Sequence, residues 1–357
     1  TPTSPQADRI DGGAIRGANL FHSFSEFNIG EGREAYFANP SGIENILSRV
    51  TGSDASRIFG KLGVLGNANL FLINPNGIIF GRNASLDVRG SFVGSTASSL
   101  KFADGTEFSA KAPQSKPLLT VSVPLGLQYG TNPGKIQVQG DGQGIRSTSE
   151  LIDNTSGLRV QPNQTLALVG GDVSLEGATL KTAGGRIELG SVGDNSLVNL
   201  TPINKGFSLG YDAVQNFGNI QLSQQTAVDT SGAGGSDIRV WGKRVTLTNG
   251  SLIEASTLGA EQGGAIVVNA TDSVEVIGKS ADGQFASGLF TLATPGTTGD
   301  AGNLTINTRE LLVQDGAQVT ASTSGAGKGG NLTVNATDSV QVIGRSANGR
   351  FPSGLSN

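Results

Sequence analysis

The sequence predicts an all-β protein folded as a parallel β-helix, a solenoid whose coils contact only their neighbours. The first reason is composition, since Gly accounts for 54 of 357 residues, aromatic residues for 5% and charged residues for 15%. Hydrophobic residues make up 36%, which is thin for one large core but sufficient for a narrow core repeated many times. Val, Ile and Leu recur throughout and the net charge is only −4, which excludes the disordered class.

The second reason is an internal repeat in the C-terminal third. Residues 263–289 return as residues 329–355, a shift of 66. At the same shift Ile238 corresponds to Leu304. This shift divides into three, so we expect about 22 residues per coil, a period typical of solenoids. Gly, Asn and Asp separate the short apolar runs and permit tight bends between strands.

The third reason is the scarcity of helical spacing. The best candidate helix is SGIENILSRV at residues 41–50, where Ile43, Ile46, Leu47 and Val50 would share one face. A pair of strands explains the same residues equally well. No stretch approaches 18 apolar residues, the length at which a membrane-spanning helix is indicated.

A tight turn interrupts the most apolar segment, LFLINPNGIIFG at residues 70–81. Asn74-Pro75-Asn76-Gly77 suits a type I turn: Asn starts it through its side chain, Pro presets φ, and Gly closes it. The uniformly apolar flanks predict strands covered on both faces. The simplest interpretation of this stretch is a buried hairpin.

Residues that carry chemistry are scarce, so we expect no enzyme, no cofactor and no metal site. His22 is the single histidine and there is no cysteine, so one chain cannot form a His- or Cys-based metal cluster. In NLFHSFSEF, His22 alternates with aromatic residues, which predicts a strand residue on the less buried face. The sequence has no basic stripe, which argues against nucleic acid as a partner. GDGQG at residues 140–144 lacks the Lys-Ser/Thr of a phosphate loop.

Four long motifs follow one another from Arg16 to Ile136: RGANLFHSFSEFNI, AYFANPSGIENILSRVTG, GKLGVLGNANLFLINPNGIIFGRNASLDVRGSFVGSTA and VPLGLQYGTNPGKI. Together they resemble the N-terminal secretion (TPS) domain of the filamentous haemagglutinin family, the exoproteins of two-partner secretion. The resemblance implies a right-handed parallel β-helix with an N-terminal cap and extra-helical β-hairpins. We expect the TPS (haemagglutination activity) domain over residues 1–230 and β-helical repeats over 231–357, truncated at the C-terminus.

The resemblance also implies a partner and a location. The partner is an outer-membrane TpsB transporter of the Omp85 superfamily, whose periplasmic POTRA domains recognise the domain before the chain is exported unfolded. The protein would be secreted or held at the cell surface of a Gram-negative-type bacterium, having passed the periplasm and outer membrane. The full-length protein would be an adhesin or haemagglutinin with host or cell-surface ligands. A carbohydrate-active β-helix enzyme and the stalk of a secreted contact-dependent toxin are the alternatives.

The family's two marked turns map onto the NPNG turn (residues 74–77) and, less closely, onto the NPSG turn (residues 39–42), which departs from the commoner Asn-Pro-Asn-Leu. Each is followed by Ile, so we expect the same local geometry twice, 35 residues apart. The turns either contact the transporter or only fix strand register. Two aromatic segments, residues 20–27 and 102–108, are predicted to cover the open N-terminal edge. The predicted recognition residues are Asn39, Pro40, Gly42, Asn74, Pro75, Asn76, Gly77 and Ile78.

Overall fold

A computed structural model gives the fold and describes residues 6–111, 120–153, 157–204, 206–349 and 351–357. These residues form strands, turns and bends without any helix, and hence without a helix long and apolar enough to cross a membrane. The candidate helix at residues 41–50 is a turn followed by one strand, Asn45–Val50, so the segment is extended but is neither a helix nor a pair of strands.

The strands of the described residues are short in the N-terminal part and reach 13 residues further along. In chain order they are β1 (Ala7–Ile10), β2 (Ala14–Arg16), β3 (Asn19–Phe24), β4 (Glu34–Ala38), β5 (Asn45–Val50), β6 (Ser56–Ile58), β7 (Lys61–Leu65), β8 (Asn69–Ile73), β9 (Ile78–Phe80), β10 (Ser85–Asp87), β11 (Phe92–Ser95), β12 (Ser99–Phe102), β13 (Glu107–Ser109), β14 (Pro124–Gln128), β15 (Ile136–Gln139), β16 (Leu158–Arg159), β17 (Thr165–Gly170), β18 (Val173–Glu176), β19 (Thr179–Lys181), β20 (Arg186–Ser191), β21 (Leu197–Ile203), β22 (Gly206–Gly210), β23 (Ile220–Ser223), β24 (Ala227–Asp229), β25 (Asp237–Thr248), β26 (Leu252–Glu254), β27 (Ala265–Ile277), β28 (Gly288–Phe290), β29 (Asn303–Gln314), β30 (Gln318–Thr320), β31 (Leu332–Ile343) and β32 (Gly354–Ser356).

The chain forms two compact units that interleave along the sequence. Unit 1 comprises Thr1–Val138, Leu158–Val173 and Gly190–Gly218, and unit 2 comprises Gln139–Gly157, Ser174–Leu189 and Asn219–Asn357. The predicted boundary between residues 230 and 231, between the secretion domain and the β-helical repeats, stays a prediction.

Unit 1 is built from parallel coils, as the sequence predicts. Asn19 pairs with Asn45 and Asn45 with Asn69, so successive coils here are 26 and 24 residues long. Phe71 pairs with Val93, a step of 22. Three stacks run through the coils: β1-β4-β7-β10, β3-β5-β8-β11-β17 and β6-β9-β15. Buried Leu, Ile and Phe side chains fill the space between them.

A ladder of asparagine amides crosses these coils at one inward position. Asn45 donates its Nδ2–H to Oδ1 of Asn19 at 3.1 Å, and Asn69 donates to Oδ1 of Asn45 at 3.0 Å. The Oδ1 of Asn69 in turn accepts the backbone N–H of Ser91 at 2.9 Å. Each buried amide is therefore satisfied by the neighbouring coil, and the identical residues help to fix the register of the stack.

Extra-helical strands cover one side of unit 1. The five-stranded sheet β13-β12-β14-β21-β22 is antiparallel, and it contains the hairpins β12–β13 and β21–β22. Phe207 on β22 packs against Phe71 with ring centroids 5.2 Å apart, which explains why β8 is buried on both faces. The extra-helical hairpins implied by the resemblance are therefore present.

The N-terminal edge of the β3 stack is covered by β2, which pairs antiparallel with β3. Phe21 on β3 lies 6.0 Å from Phe102 and 5.1 Å from Phe108 between ring centroids, so the two predicted aromatic segments do pack together. The prediction for His22 was wrong, because the imidazole is only 6% exposed. A Cβ on Gly13 would lie 2.9 Å from Cε1 of His22, so the chain leading into β2 covers the face that the sequence pattern left open.

Unit 2 is also built from parallel coils, but these coils are longer than predicted. Ile238 pairs with Ile266, a step of 28, and Ile266 pairs with Leu304, a step of 38. The 66-residue repeat is therefore two unequal coils, and three coils of about 22 residues was the wrong division. The long coil gains its extra residues from a hairpin at residues 278–287, where the short coil has a two-residue turn at Asp315 and Gly316.

Candidate functional site: the Asn-Pro turns

The NPNG turn has the predicted local geometry. Gly77 donates its backbone N–H to the carbonyl oxygen of Asn74 at 3.1 Å, and Asn76 donates its backbone N–H to Oδ1 of Asn74 at 3.0 Å. Asn76 keeps an ordinary negative φ, as a type I turn requires at its third position, while Gly77 has φ +127. These bonds involve residues 74–77 alone, so the turn is specified by its own side chains.

The strands on either side of the NPNG turn do not pair with each other, so the predicted buried hairpin was wrong. β8 pairs in parallel with β5 and β11, whereas β9 pairs in parallel with β6 and β15. The turn is therefore a corner at which the chain passes from one stack of the β-helix to the next. A hairpin and a corner need the same turn residues, which is why the local sequence did not separate them.

The side chain of Asn74 joins this corner to the preceding coil. Its Nδ2 donates to the carbonyl oxygen of Asp54 and to Oγ of Ser56, both at 3.0 Å. Asn74 is 0% exposed, and Pro75, Gly77 and Ile78 are buried as well. Asn76 is exposed, and its Nδ2 donates to the carbonyl oxygen of Gly52 at 2.8 Å. Of the five predicted residues at this corner, only Asn76 has a side chain that another protein could contact once the domain has folded.

A third Asn-Pro corner, which we call the NPG corner (residues 132–134), covers the NPNG turn from the following coil. Gly134 donates its N–H to the carbonyl oxygen of Pro75 at 3.0 Å, and Ile78 donates to that of Lys135 at 3.1 Å. Ile136 then pairs with Ile78. Sequence analysis missed this relationship, although the shared Asn-Pro, Gly and Ile of NPNGI and NPGKI carried the signal.

The NPSG turn has a different geometry. Ile43 donates its N–H to the carbonyl oxygen of Pro40 at 3.2 Å, and Gly42 has φ +81, the arrangement of a type II turn that starts at Pro40. The side chain of Asn39 lies outside that turn, where its Oδ1 accepts the N–H of Ala68 at 3.0 Å and its Nδ2 donates to the carbonyl oxygen of Ile43 at 3.1 Å. Pro40 and Gly42 are exposed.

The two marked turns also lie at different corners. The NPSG turn leads from β4 to β5, whereas the NPNG turn leads from β8 to β9. The prediction that one turn geometry recurs 35 residues later was therefore wrong. The two turns start at different residues of their Asn-Pro motifs, and they lie at different corners of the β-helix. The fold brings the NPNG turn together with the NPG corner and leaves the NPSG turn at a separate, more exposed corner.

Buried charges gather at one place in unit 2, and the sequence did not reveal them. Lys181 contacts Asp153 directly and lies 3.7 Å from Asp229, while Arg146 lies 3.1 Å from Asp229. Glu254 pairs with Asp229 across neighbouring strands. Burial and then the carboxylate of Asp229 raise the pKa of Glu254 to about 7.

Shifted carboxylates mark active sites in some proteins and structural ion networks in others. Asp229 is 1% exposed and Lys181 3%, so this ion pair is closed to a large substrate, while Glu254 is partly exposed. The described residues contain no cluster of three or more His, Cys, Asp or Glu side chains able to hold a metal ion. The geometry of this cluster fits a structural network.

Parallel coils, an extra-helical antiparallel sheet and Asn-Pro corners define a β-helical secretion domain, and the comparisons agree with this class. The TPS secretion domain family matches residues 4–240, about two thirds of the chain. The chain therefore belongs to the TPS secretion domain family, the N-terminal secretion domains of TpsA exoproteins. Membership implies export by two-partner secretion from a Gram-negative bacterium with a TpsB transporter as partner.

Two heme/hemopexin-binding proteins of Haemophilus influenzae are similar over a short stretch. One is 41% identical over 66 residues, 18% of this chain, and the other is 37% identical over 67 residues, 19% of this chain. The chain spans 7% of the length of each of these relatives. Among solved structures, the HMW1 secretion domain of Haemophilus influenzae aligns with a TM-score of 0.41 at 16% identity, over 92% of this chain and 94% of that one.

Proposed function

We propose that the NPNG turn is read by the periplasmic POTRA domains of an Omp85-type TpsB transporter before the domain folds. The observation that supports this is the difference between the two kinds of bond at the turn. The bonds from Asn76 and Gly77 to Asn74 lie within four residues and can form in an unfolded chain. The bonds to Asp54, Ser56 and Lys135 need neighbouring coils, so they form only on folding.

Folding then buries all of the recognition element except Asn76. In the unfolded chain the amides of Asn74 and Asn76 are open to a partner, whereas in the β-helix Asn74 is fully buried. A transporter that reads this turn would therefore bind the unfolded chain and release the folded one. Coils that contact only their neighbours can fold one at a time as the chain emerges, which favours movement in one direction.

The same proposal assigns a lesser role to the NPSG turn. Pro40 and Gly42 stay exposed after folding, and a Cβ on Gly42 would meet nothing within 4 Å. Such a turn cannot report whether the chain has folded. We assign Asn39 a structural role, because its Nδ2 and Oδ1 both form hydrogen bonds with backbone groups, one in its own coil and one in the next.

For the full-length protein we propose a surface adhesin or haemagglutinin that binds host or cell-surface ligands. The stalk of a contact-dependent toxin fits the same secretion domain, because its active part would be elsewhere. A carbohydrate-active enzyme is less well supported, since Asp229, the buried member of the Asp229–Glu254 pair, is held in ion pairs by Arg146 and Lys181.

The proposal is tested by co-expressing this chain with its cognate transporter and measuring the fraction that reaches the medium. Asn76→Ala is the informative variant, because it removes an exposed amide and one bond to Gly52. Asn67→Ala is the matched control at another exposed corner of unit 1. We expect the control to be exported like the parent and Asn76→Ala to be retained. Equal export of both variants would refute recognition of this turn.

A further inference from the structure

A polar groove in unit 2 lies between two copies of one hairpin. The first hairpin spans residues 278–287 and the second, 66 residues later, comprises the described residues 344–349 and 351–353. They belong to successive long coils, and Asp315, from the two-residue turn of the short coil between them, also lines the groove. The groove has a volume of 570 Å³, within the range of small-ligand sites.

Both hairpins are braced by the same hydrogen bonds. Ser280 donates its N–H to the carbonyl oxygen of Phe285 at 2.8 Å, and Ser346 donates to that of Phe351 at 2.8 Å. The hydroxyl of each Ser also accepts an N–H, from Phe285 at 2.9 Å and from Phe351 at 3.0 Å. Side chains carried on such hairpins are held in place before a ligand arrives, which lowers the entropy cost of binding.

Each hairpin also rests on the turn of the preceding short coil. A Cβ on Gly316 would lie 2.8 Å from Cβ of Ser346, and one on Gly250 would lie 2.7 Å from Cβ of Ser280. Both glycines have positive φ. The close approach therefore fixes the height of the hairpins along the stack, and the repeat reproduces it every two coils.

The described residues that line the groove carry opposite charges in equal number. Lys279 and Arg345 contribute two cations, and Asp282 and Asp315 two anions, with the amide of Asn348 beside them. A hydrogen bond from Ser280 holds the pKa of Asp282 below its usual range, so this carboxylate stays an acceptor at neutral pH. Lys279 Nζ lies 3.4 Å from the ring centroid of Phe351 on the other hairpin, which joins the two walls.

We propose that this groove binds a neutral, hydroxyl-rich oligosaccharide. Hydroxyl groups both donate and accept, so they can satisfy carboxylates, an amide and guanidinium or ammonium groups at once. A polyanion would meet Asp282 and Asp315, and a polycation would meet Lys279 and Arg345, so neither gains from the balanced charge. The inference is independent of transport, because it concerns the folded protein alone.

The test uses the purified chain and a panel of neutral gluco-, galacto-, manno- and xylo-oligosaccharides, with binding measured by saturation-transfer NMR. Dextran and dextran sulfate form a matched pair that separates sugar recognition from charge attraction. We expect at least one neutral member to bind at millimolar concentration or below. Binding of dextran sulfate alone, or of no sugar, would overturn the proposal.

Variants then locate the binding site. Arg345→Ala and Asp315→Asn each remove a groove charge while avoiding the Ser280 and Ser346 braces. We expect either to weaken binding about tenfold, as for the loss of one charge-assisted hydrogen bond. Arg309→Ala is the matched control, because Arg309 is an exposed cation of the same unit paired with Asp338 outside the groove. Equal affinity of Arg345→Ala, Asp315→Asn and Arg309→Ala would place the sugar elsewhere and overturn the assignment.

Discussion

Gly134 donates its backbone N–H to the carbonyl oxygen of Pro75 at 3.0 Å and thereby stacks the NPG corner on the NPNG turn. A Cβ on Gly134 would lie 2.4 Å from the carbonyl carbon of Asn76, closer than packed side chains allow. Glycine is required here because there is no room for a side chain. Backbone conformation is not the reason, because φ of Gly134 is not positive. It couples two corners that lie almost 60 residues apart in the chain.

We therefore expect Gly134→Ala to lower the free energy of unfolding by about 1–3 kcal/mol, the usual cost of forcing extra atoms into a packed site. Urea unfolding followed by circular dichroism measures it. Gly30→Ala is the control, because φ there is also not positive and the nearest atom to a new Cβ is Cγ of Arg33 at 3.6 Å. Equal stability of the two variants would show that the corner yields without strain.

The fold class was predictable because it depends on properties that every coil shares. Glycine-rich bends and regularly spaced Val, Ile and Leu suit a narrow, repeated core wherever the coils begin. Coil length was not predictable from the repeat alone, since a 66-residue period accommodates three equal coils or a short and a long one. The hairpin at residues 278–287 uses the same Gly, Ser and Asp residues as an ordinary corner, so composition did not mark it as an insertion.

The turn at Asn74 shows where prediction from local sequence ends. Its hydrogen bonds lie within residues 74–77, and those were predicted. Its role as a corner depends on which strands β8 and β9 pair with, and the buried amide of Asn74 is satisfied by Asp54 and Ser56 of another coil. The burial of His22 was missed for the same reason, because the segment that covers it leads into β2 and lies outside the strand that carries His22.

Variants at Asn74 and Asn76 distinguish an effect on stability from an effect on export. Asn74→Ala leaves the carbonyl oxygen of Asp54 and the hydroxyl of Ser56 without their donor, so we expect a loss of about 1–3 kcal/mol in the free energy of unfolding. Asn76→Ala loses the exposed bond to Gly52 and a longer one, 3.3 Å, to Oδ1 of Asn74, and should cost about 1 kcal/mol or less. Thermal melts measure the stability of each variant, and the secreted fraction measures its export.

If the turn is recognised, both variants lose export although their stabilities differ. If it is only structural, export follows stability and Asn76→Ala is secreted almost like the parent. Gly77→Val is the folding control, since a Cβ there would lie 3.1 Å from the carbonyl oxygen of Lys135 and the φ of +127 disfavours valine. A folded Asn74→Ala, Asn76→Ala double variant secreted at the parental level would contradict the proposed recognition.

His22 should make unit 1 sensitive to acid. Burial lowers the pKa of His22 from its ordinary 6.5, and its Nε2 lacks a hydrogen-bond partner among the described residues. The unfolded chain then binds the proton more readily, so this contribution to stability is present above about pH 6.5 and is lost as the pH falls below it. Urea unfolding at pH 7.5 and pH 5.5 measures the loss.

His22→Phe should remove that part of the pH dependence, since the ring lies among Phe24 and Phe37 and phenylalanine has a similar shape. An unchanged difference between the two pH values in His22→Phe would show that another group is responsible.

Glu254 should act in the opposite direction in unit 2. Burial and the neighbouring Asp229 raise the pKa of Glu254 from 4.5 to about 7, so the folded state holds this proton more tightly than the unfolded state. Stability is therefore full below about pH 4.5, falls as the pH rises, and levels off above about pH 7, with a slope of at most about 1.4 kcal/mol per pH unit. Trp241, the single tryptophan, lies on β25 in unit 2 and reports its unfolding by fluorescence.

Glu254→Gln keeps an acceptor for the hydroxyl of Ser256, which lies 2.6 Å from Oε1 of Glu254, but it cannot titrate. In a His22→Phe background, where the opposing effect of the imidazole is removed, Glu254→Gln should make the Trp241 transition nearly independent of pH between 5.5 and 8. Asp282→Asn is the matched control, because Asp282 is an exposed carboxylate of the same unit whose pKa lies below its usual range. If Glu254→Gln keeps the parental slope while Asp282→Asn loses it, the buried cluster is not the titrating element of unit 2.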